Sequence, residues 1–145
     1  MNRKNKIITF LFCLVFAAGL YLYFGFYNRS YETIDNVATD ISISSRKLTS
    51  TYMLNEKNAN SIYRGKVIEV DGIVKEVSFL NNRNTVLLHG NDKYSSVICD
   101  MQSDQIEEVK KLKAGQKIRI KGICKGFLKD AILLNCMLIN TQINE

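Results

Sequence analysis

The sequence predicts a mainly β domain with some α-helix, carried behind one N-terminal transmembrane helix. Two observations support this fold class. One is an uninterrupted apolar run near the N-terminus, and the other is a series of short segments after residue 65 in which apolar and polar residues alternate. The chain has 145 residues. With a membrane span set aside, roughly 115 residues remain, enough for one domain with a hydrophobic core.

The apolar run covers residues 7–27 and contains no charged side chain. About 20 residues of helix cross the hydrocarbon core of a bilayer, so this run is long enough to span it. Arg3, Lys4 and Lys6 precede the run, and an excess of Lys and Arg marks the cytoplasmic side of a membrane helix. We therefore predict a single-pass bacterial cell membrane protein with cytoplasmic residues 1–6, an anchor over 7–27 and an extracytoplasmic, periplasmic domain.

Two other interpretations of the apolar run are open. A cleavable signal peptide has an apolar stretch of about 7–15 residues followed by small residues. Ala17, Ala18 and Gly19 fit such a site, but apolar residues continue to Tyr27, which favours a retained anchor. A lipoprotein would carry its lipid on Cys13, where a small residue normally precedes the cysteine; the sequence has a bulky phenylalanine there.

Two segments connect the anchor to the β domain. Residues 28–44 are polar with scattered Ile and Val, and we predict a spacer. Leu48, Tyr52 and Ala59 then recur at helical spacing, which predicts an amphipathic helix over residues 45–63. A serine at its start is typical of a helix N-cap, and a glycine shortly after its end is typical of a C-terminus.

Five strands follow, in the order β-β-β-α-β-β. The predicted strands cover residues 66–79, 85–89, 95–101, 117–126 and 131–140, with a short helix over 105–112 between the third and the fourth. A long first strand and a helix between the third and fourth strands are the layout of the OB fold, a five-stranded partly open barrel. Here Gly72 interrupts the first strand. We predict an OB-fold domain over 45–140, with its preceding helix, and a C-terminal tail over 141–145.

The strand segments carry a family resemblance. The runs GKVIEVDGIVKEV, VICDM, LKAGQKIRIKGICKGFL and DAILLNC are similar to the tRNA_anti-like family, as is the preceding TYMLNEKNANSIYRG. The resemblance extends over residues 45–140. It implies an OB fold, and it implies no established activity and no cofactor.

Three cysteines fall in the predicted domain. If the last two strands form a hairpin centred on Asp130, Cys124 and Cys136 face each other, which predicts a disulfide in an exported domain. Cys99 bridging one of them is the alternative, and three buried free thiols are a third. We predict no metal site, because zinc usually takes four ligands and His89 is the chain's one histidine.

The basic residues suggest one candidate binding surface. Lys117, Arg119 and Lys121 alternate along the fourth strand and predict a patch for an anionic ligand, unless they are simply a solvated face. The net charge is +6, but residues 1–29 hold four basic and no acidic side chains, which leaves +2 for the rest. That balance makes nucleic acid an unlikely partner. Phe79 and Tyr94 only flank the second and third strands, which lack a stacking platform.

No catalytic motif is recognisable, so we predict a protein that is not an enzyme and needs no cofactor. The predicted function is a membrane-anchored, extracytoplasmic OB-fold binding or assembly module. Its expected partners are the lipid bilayer and an envelope protein or polysaccharide. The alternatives are a structural or stress-related envelope protein without a discrete ligand, and a domain that binds single-stranded nucleic acid.

Overall fold

A computed structural model describes residues 2–27 and 34–141 of the chain. These residues fall in two compact units, divided between residues 32 and 33. The labelled elements, in chain order, are α1 (Arg3–Tyr27), β1 (Ile41–Ser44), α2 (Ser45–Leu54), α3 (Glu56–Tyr63), β2 (Val67–Leu80), β3 (Arg83–His89), β4 (Ser96–Met101), α4 (Ile106–Val109), β5 (Lys117–Phe127) and β6 (Ala131–Thr141).

The first unit contains the apolar helix α1. The segment Arg3–Gly25 has a mean hydropathy of 2.3, and none of it is buried in protein. Its length and composition fit a membrane span or a signal anchor. An apolar N-terminal helix is therefore present where the sequence predicts one.

The second unit is built on a closed barrel, which confirms the predicted OB fold. The strand order is β2-β3-β4-β6-β5, and pairing of β2 with β5 closes the sheet on itself. The β4–β6 pair is parallel, and the other four pairs of the barrel are antiparallel. Closure gives each barrel strand two neighbouring barrel strands, which is how small β folds limit pairing with other chains.

Strand β2 is long because it pairs with two barrel strands in succession, β5 and then β3. Residues 67–73 pair with β5, and residues 74–80 pair with β3. The register shifts between Val74 and Glu76, just beyond Gly72. Gly72 itself allows a close approach, because a Cβ atom there would lie 2.8 Å from the hydroxyl of Ser45 and 2.9 Å from Leu88 Cδ1.

Residues 34–44 belong to the domain and do not form the predicted spacer. A short 3-10 helix covers Ile34–Asn36, and β1 pairs in parallel with β2, with Ile41 opposite Ile68. The Ile34 side chain is 1% exposed. Scattered isoleucines in a polar stretch thus serve as contacts to the barrel. The rest of the predicted spacer, residues 28–33, lies outside the described residues.

The predicted helix over 45–63 is two helices, divided at Asn55. The Asn55 backbone is extended (φ −159°, ψ 96°); its N–H donates to the Thr51 carbonyl at 3.2 Å, and its side chain accepts from Asn58 N at 3.0 Å. One asparagine therefore ends α2 and caps α3, a role that asparagine prefers over a helix interior. At the start of α2, the Ser44 hydroxyl accepts from the backbone N–H of Lys47.

Helices cover the core of the barrel. Leu48 and Tyr52 of α2 join the same buried cluster as Val109 of α4 and Leu112. The helix predicted over 105–112 is shorter than expected, since α4 follows a 3-10 turn at Ser103–Gln105 and ends at Val109.

Replacing Ile34 by alanine tests whether residues 34–44 are part of the folded domain. Because Ile34 is buried, Ile34→Ala should lower the free energy of unfolding by about 2–5 kcal/mol. The matched control is Ile73→Ala in β2, where the side chain is 37% exposed and a loss of about 0.5–1 kcal/mol is expected. Urea unfolding of the full-length protein in detergent, followed by circular dichroism, measures both. Equal effects of the two substitutions would show that residues 34–44 add nothing to stability.

Candidate ligand-binding face

The three basic residues predicted as an anionic-ligand patch do not form an exposed row. Lys117 is exposed. Arg119 is held by Asp71, with Nε to Oδ1 at 2.7 Å and Nη2 to Oδ2 at 3.1 Å. Lys121 is 7% exposed, and its ammonium donates to the Val37 carbonyl. The prediction that Lys121 faces solvent is therefore wrong.

The β2–β5 pairing explains why Arg119 and Lys121, two of the three residues of the predicted patch, are engaged within the domain. It places Asp71 opposite Arg119 and Glu69 opposite Lys121. The hydrogen bond and the charge of Asp71 raise the pKa of Arg119, so the guanidinium stays paired and charged. Asp71 and Arg119 are 48 residues apart in the chain, so alternation along β5 alone gives no indication of the acid across from it.

Residues 34–44 are fastened over the same part of β2 and β5. Thr39 Oγ1 donates to the Glu69 carboxylate at 2.6 Å, and Asp40 Oδ2 accepts from the backbone N–H of Val67 at 3.0 Å. Lys121 also donates a hydrogen bond to the Val37 carbonyl. These contacts show that the charged groups here hold residues 34–44 against the barrel.

Removing the Lys121 ammonium tests that assignment. Lys121→Met keeps the apolar stem and leaves the Val37 carbonyl without its donor, so a loss of about 1–3 kcal/mol in the free energy of unfolding is expected. The matched control, Lys117→Met on the same strand, should change it by less than about 0.5 kcal/mol. Denaturant titration of the two variants gives the comparison. A Lys121→Met variant as stable as the parent would contradict a structural role for Lys121.

The cysteines do not pair as the sequence predicts. All four are free thiols, and Cys99, Cys124 and Cys136 are fully buried. The hairpin closes with Phe127 opposite Ala131, so its centre lies one residue before Asp130, and Cys124 lies opposite Leu133. Register shifts along β5 and β6 move Cys136 further away from Cys124. The predicted opposition of Cys124 and Cys136 is therefore wrong.

Cys124 instead contacts Tyr52, a tyrosine of α2. Its sulfur lies 3.4 Å from the Tyr52 hydroxyl, in a buried contact. The Tyr52 ring stacks on Phe127 at 5.3 Å between centroids. Burial first, and then the hydrogen bond with Cys124, raise the pKa of Tyr52 well above its ordinary value. This contact joins α2 to the barrel and is closed to solvent.

The raised pKa of Tyr52 predicts alkaline sensitivity. Tyrosine in the unfolded chain loses its proton near pH 10, while the folded state keeps it. The stability linked to Tyr52 is therefore complete below about pH 10 and is lost as the pH rises above it. Unfolding experiments from pH 8 upward should show a decline that Tyr52→Phe reduces. An identical decline in both proteins would show that other groups cause it.

The outer face of β3, β4 and β6 remains as the candidate site. Val86, Leu88, Val97 and Cys99 point into the core, so the residues between them point outward. Leu87 lies opposite Ile98, and Ile98 lies opposite Ile132, which forms an apolar row across three strands. Thr85 and Asp100 lie beside this row. We call these five outward residues, all half-buried, the outer face: Thr85, Leu87, Ile98, Asp100 and Ile132.

A rigid loop borders the outer face on one side. Asp92 Oδ1 accepts from the backbone N–H groups of Ser95 at 2.7 Å and Tyr94 at 2.8 Å, and these bonds lower the pKa of Asp92. The Gly90 N–H donates to the Ser95 carbonyl at 3.0 Å. The Tyr94 side chain is 68% exposed, and Lys93 Nζ lies 4.7 Å from the centroid of its ring.

The hairpins next to the outer face carry exposed apolar groups. Leu80 and Phe79, at the β2–β3 turn, are 71% and 47% exposed, and Leu128, at the β5–β6 turn, is 87% exposed. At the latter turn, Asp130 accepts from the backbone N–H of Ser96 at 2.7 Å, which ties the turn to the start of β4. Ligands of OB folds lie on this sheet face, between these two hairpin loops.

Sequence reasoning missed this face because its residues are unremarkable one by one. Leu87, Ile98 and Ile132 form a row only after three strands are aligned. Among residues 2–27 and 34–141, no group of three or more His, Cys, Asp and Glu side chains is placed to hold a metal ion. The chemistry that the face offers is apolar contact with a few polar groups, which suits binding of an extended chain.

Comparison with known proteins adds a family match. A family model described as tRNA_anti-like matches residues 1–138. No curated protein matches the chain significantly.

Two solved structures are similar to part of the chain. One is described as a "putative nucleic acid-binding lipoprotein" from Klebsiella pneumoniae subsp. pneumoniae MGH 78578; it is 18% identical, with a TM-score of 0.56, covering 68% of this chain and 91% of that one. Another is asparaginyl-tRNA synthetase from Pyrococcus horikoshii, 17% identical with a TM-score of 0.44, covering 55% of this chain and 20% of that one. At these identities the likeness to the Klebsiella protein supports the fold alone.

Proposed function

We propose that this chain, which belongs to the tRNA_anti-like family, is a membrane-anchored, extracytoplasmic binding module without catalytic activity. Its ligand lies on the outer face, between the Tyr94 loop and the β2–β3 turn. The observation that carries this proposal is the apolar row of Leu87, Ile98 and Ile132, which is bordered by exposed Tyr94 and Leu80.

The topology of the proposal follows from charge and length. Arg3, Lys4 and Lys6 precede the apolar segment, and basic residues on that side favour a cytoplasmic N-terminus. A helix of 25 residues reaches across a bilayer. The domain that follows then lies outside the cytoplasm, and its ligand is a component of the cell envelope.

The composition of the outer face favours an extended segment of an envelope protein as the ligand. An aliphatic row accommodates alternate side chains of a polypeptide, while Asp100 on the face and Glu76 next to Leu87 repel phosphates. Strands β3 and β4 carry no Phe, Tyr or Trp on which bases stack.

A second candidate is single-stranded nucleic acid. Tyr94 and Lys93 form an exposed aromatic-cation pair of the kind that stacks on bases. The description of the Klebsiella protein with the same fold names nucleic-acid binding. This candidate requires the domain to meet nucleic acid, which an extracytoplasmic location opposes.

Site-specific photocrosslinking in living cells tests the proposal. A photoreactive amino acid at Leu87 or Ile98 should give one defined adduct of the full-length protein, because both side chains point out from the outer face. The same probe at Lys125, exposed on β5, should give none. Adducts that resist nuclease and yield peptides by mass spectrometry support the envelope-protein ligand; adducts removed by nuclease support the second candidate.

A charge placed in the row should abolish the adduct. Ile132→Glu introduces a carboxylate among the three aliphatic side chains and should reduce crosslinking at least tenfold. Ile139→Glu is the matched control, since Ile139 lies on the same strand and is 42% exposed. Circular dichroism of both variants verifies that they fold. Adducts that are absent at both probe positions, or unaffected by Ile132→Glu in a folded protein, would refute binding at this face.

A further inference from the structure

Three large apolar side chains are exposed at one end of the barrel. Leu128, in the β5–β6 turn, is 87% exposed, while Leu54 and Met53, at the end of α2, are 85% and 51% exposed. Leu128 and Leu54 are the two most exposed large apolar side chains among the described residues 34–141. We call these three residues the apolar tip. Single exposed apolar residues are common on proteins, whereas a group of them marks a contact surface.

An aromatic stack joins the two parts of the apolar tip. The Tyr52 ring of α2 stacks on the Phe127 ring of β5, with 5.3 Å between centroids and 8° between the ring planes. Tyr52 immediately precedes Met53, and Phe127 immediately precedes Leu128. The end of α2 therefore lies beside the β5–β6 turn. The turn is itself fixed, because the Leu128 N–H donates to the Asp130 carbonyl at 3.2 Å.

Four exposed cations lie at the same end of the barrel. The Gly65 N–H donates to the Cys124 carbonyl at 2.7 Å, which holds the end of α3 against the end of β5. None of the four cations forms an ion pair with another residue that the structure describes. Residues 53–66 and 127–130 together contain four basic and two acidic side chains, a net charge of +2 that equals the net charge of residues 30–145 as a whole. The four cations are Lys57, Arg64, Lys66 and Lys129.

A lipid bilayer fits this surface better than a protein does. A stable protein–protein interface takes about 800 Å² from each partner, and three apolar side chains interspersed with cations do not form a continuous area of that size. A bilayer surface requires no such area. Aliphatic side chains enter the interface between headgroups, and lysine and arginine are attracted to anionic lipid. The combination of residues at this end of the barrel is therefore suited to anionic phospholipid.

We propose that the apolar tip and its four cations dock the domain on an anionic phospholipid bilayer, the same membrane that α1 enters. Residues 28–33 join the helix to the domain, and six residues reach roughly 20 Å at full extension. So short a connection gives the lipid surface a high effective concentration at the domain, and a small contact area then suffices. The inference rests on the membrane anchor in the proposed function and uses no residue of the outer face.

Tryptophan fluorescence tests the docking, because the chain contains no tryptophan. Full-length Leu54→Trp and Leu128→Trp are reconstituted into liposomes of phosphatidylglycerol and phosphatidylcholine. Phosphatidylglycerol brominated near the headgroup end of its acyl chains should quench the emission of both variants at least twofold. Leu80→Trp is the matched control and should be quenched far less. Leu80 is 71% exposed and lies opposite Arg83 at the start of β3, whereas the β5–β6 turn lies near the end of β3.

Charge reversal tests the role of the cations. In the Leu128→Trp protein, Lys57→Glu combined with Lys129→Glu should reduce the quenching at least twofold. The matched control is Lys113→Glu combined with Lys117→Glu, two exposed lysines outside the proposed surface, which should leave the quenching unchanged. Circular dichroism verifies that each variant folds.

Flotation of the liposomes separates docking from anchoring. Protein that floats with the liposomes, but whose tryptophan at 54 or 128 is quenched no more than the control at 80, would overturn the docking and leave the anchor in place. Quenching that persists after Lys57 and Lys129 are reversed would also overturn the proposed surface. Protein that does not float would overturn the anchor and the docking together. The photocrosslinking at Leu87 and Ile98 reports on the ligand independently of these outcomes.

Discussion

The structure depends on one constraint, which is that a single strand, β2, pairs with two other strands of the barrel, one after the other. Its first half pairs with β5 and its second half with β3, and this arrangement closes the barrel. It also brings β1 to the outer side of residues 68–71. The place where β2 changes partner determines which side chains enter the core, where residues 34–44 pack and which surface charges pair. Gly72, which faces Ser45 at this change of partner, has no space for a side chain.

The same pairing determines which charges are available to a ligand. Two basic side chains of β5 are engaged within the domain: Arg119 pairs with Asp71 of β2, and Lys121 donates to the Val37 carbonyl, so both stabilise the fold and contribute little to an external field. The opposite side of the barrel lacks such pairs and displays aliphatic side chains in register. These ion pairs and hydrogen bonds therefore stabilise the fold, and the surface proposed for ligand recognition is mostly apolar.

Sequence reasoning recovered the elements that have strong local signals. The alternation of apolar and polar residues in β5 and the order of strands and helices were enough to predict the OB fold, because both can be seen along the sequence itself. What failed depended on pairing across strands. The register of Cys124 shifts through bulges that no local pattern marks, and Lys121 is buried by residues 34–44, which looked like a polar spacer. The division of the predicted helix at Asn55 is a different kind of error. An asparagine that can end one helix and cap the next is visible within residues 45–63, so this division could have been predicted. The outer face was missed because its row exists only between strands.

The contact between Gly122 and Cys136 has a consequence for how this chain can diverge. The sulfur occupies the volume that a side chain at position 122 would need, so position 122 cannot gain a side chain while Cys136 is present. A descendant that gains a methyl group at 122 survives only if position 136 has already become smaller. Positions 14 apart in the chain and on different strands therefore change in a fixed order. Related sequences that carry a side chain at position 122 would therefore have a residue smaller than cysteine at position 136, whereas a smaller residue at 136 can occur beside glycine.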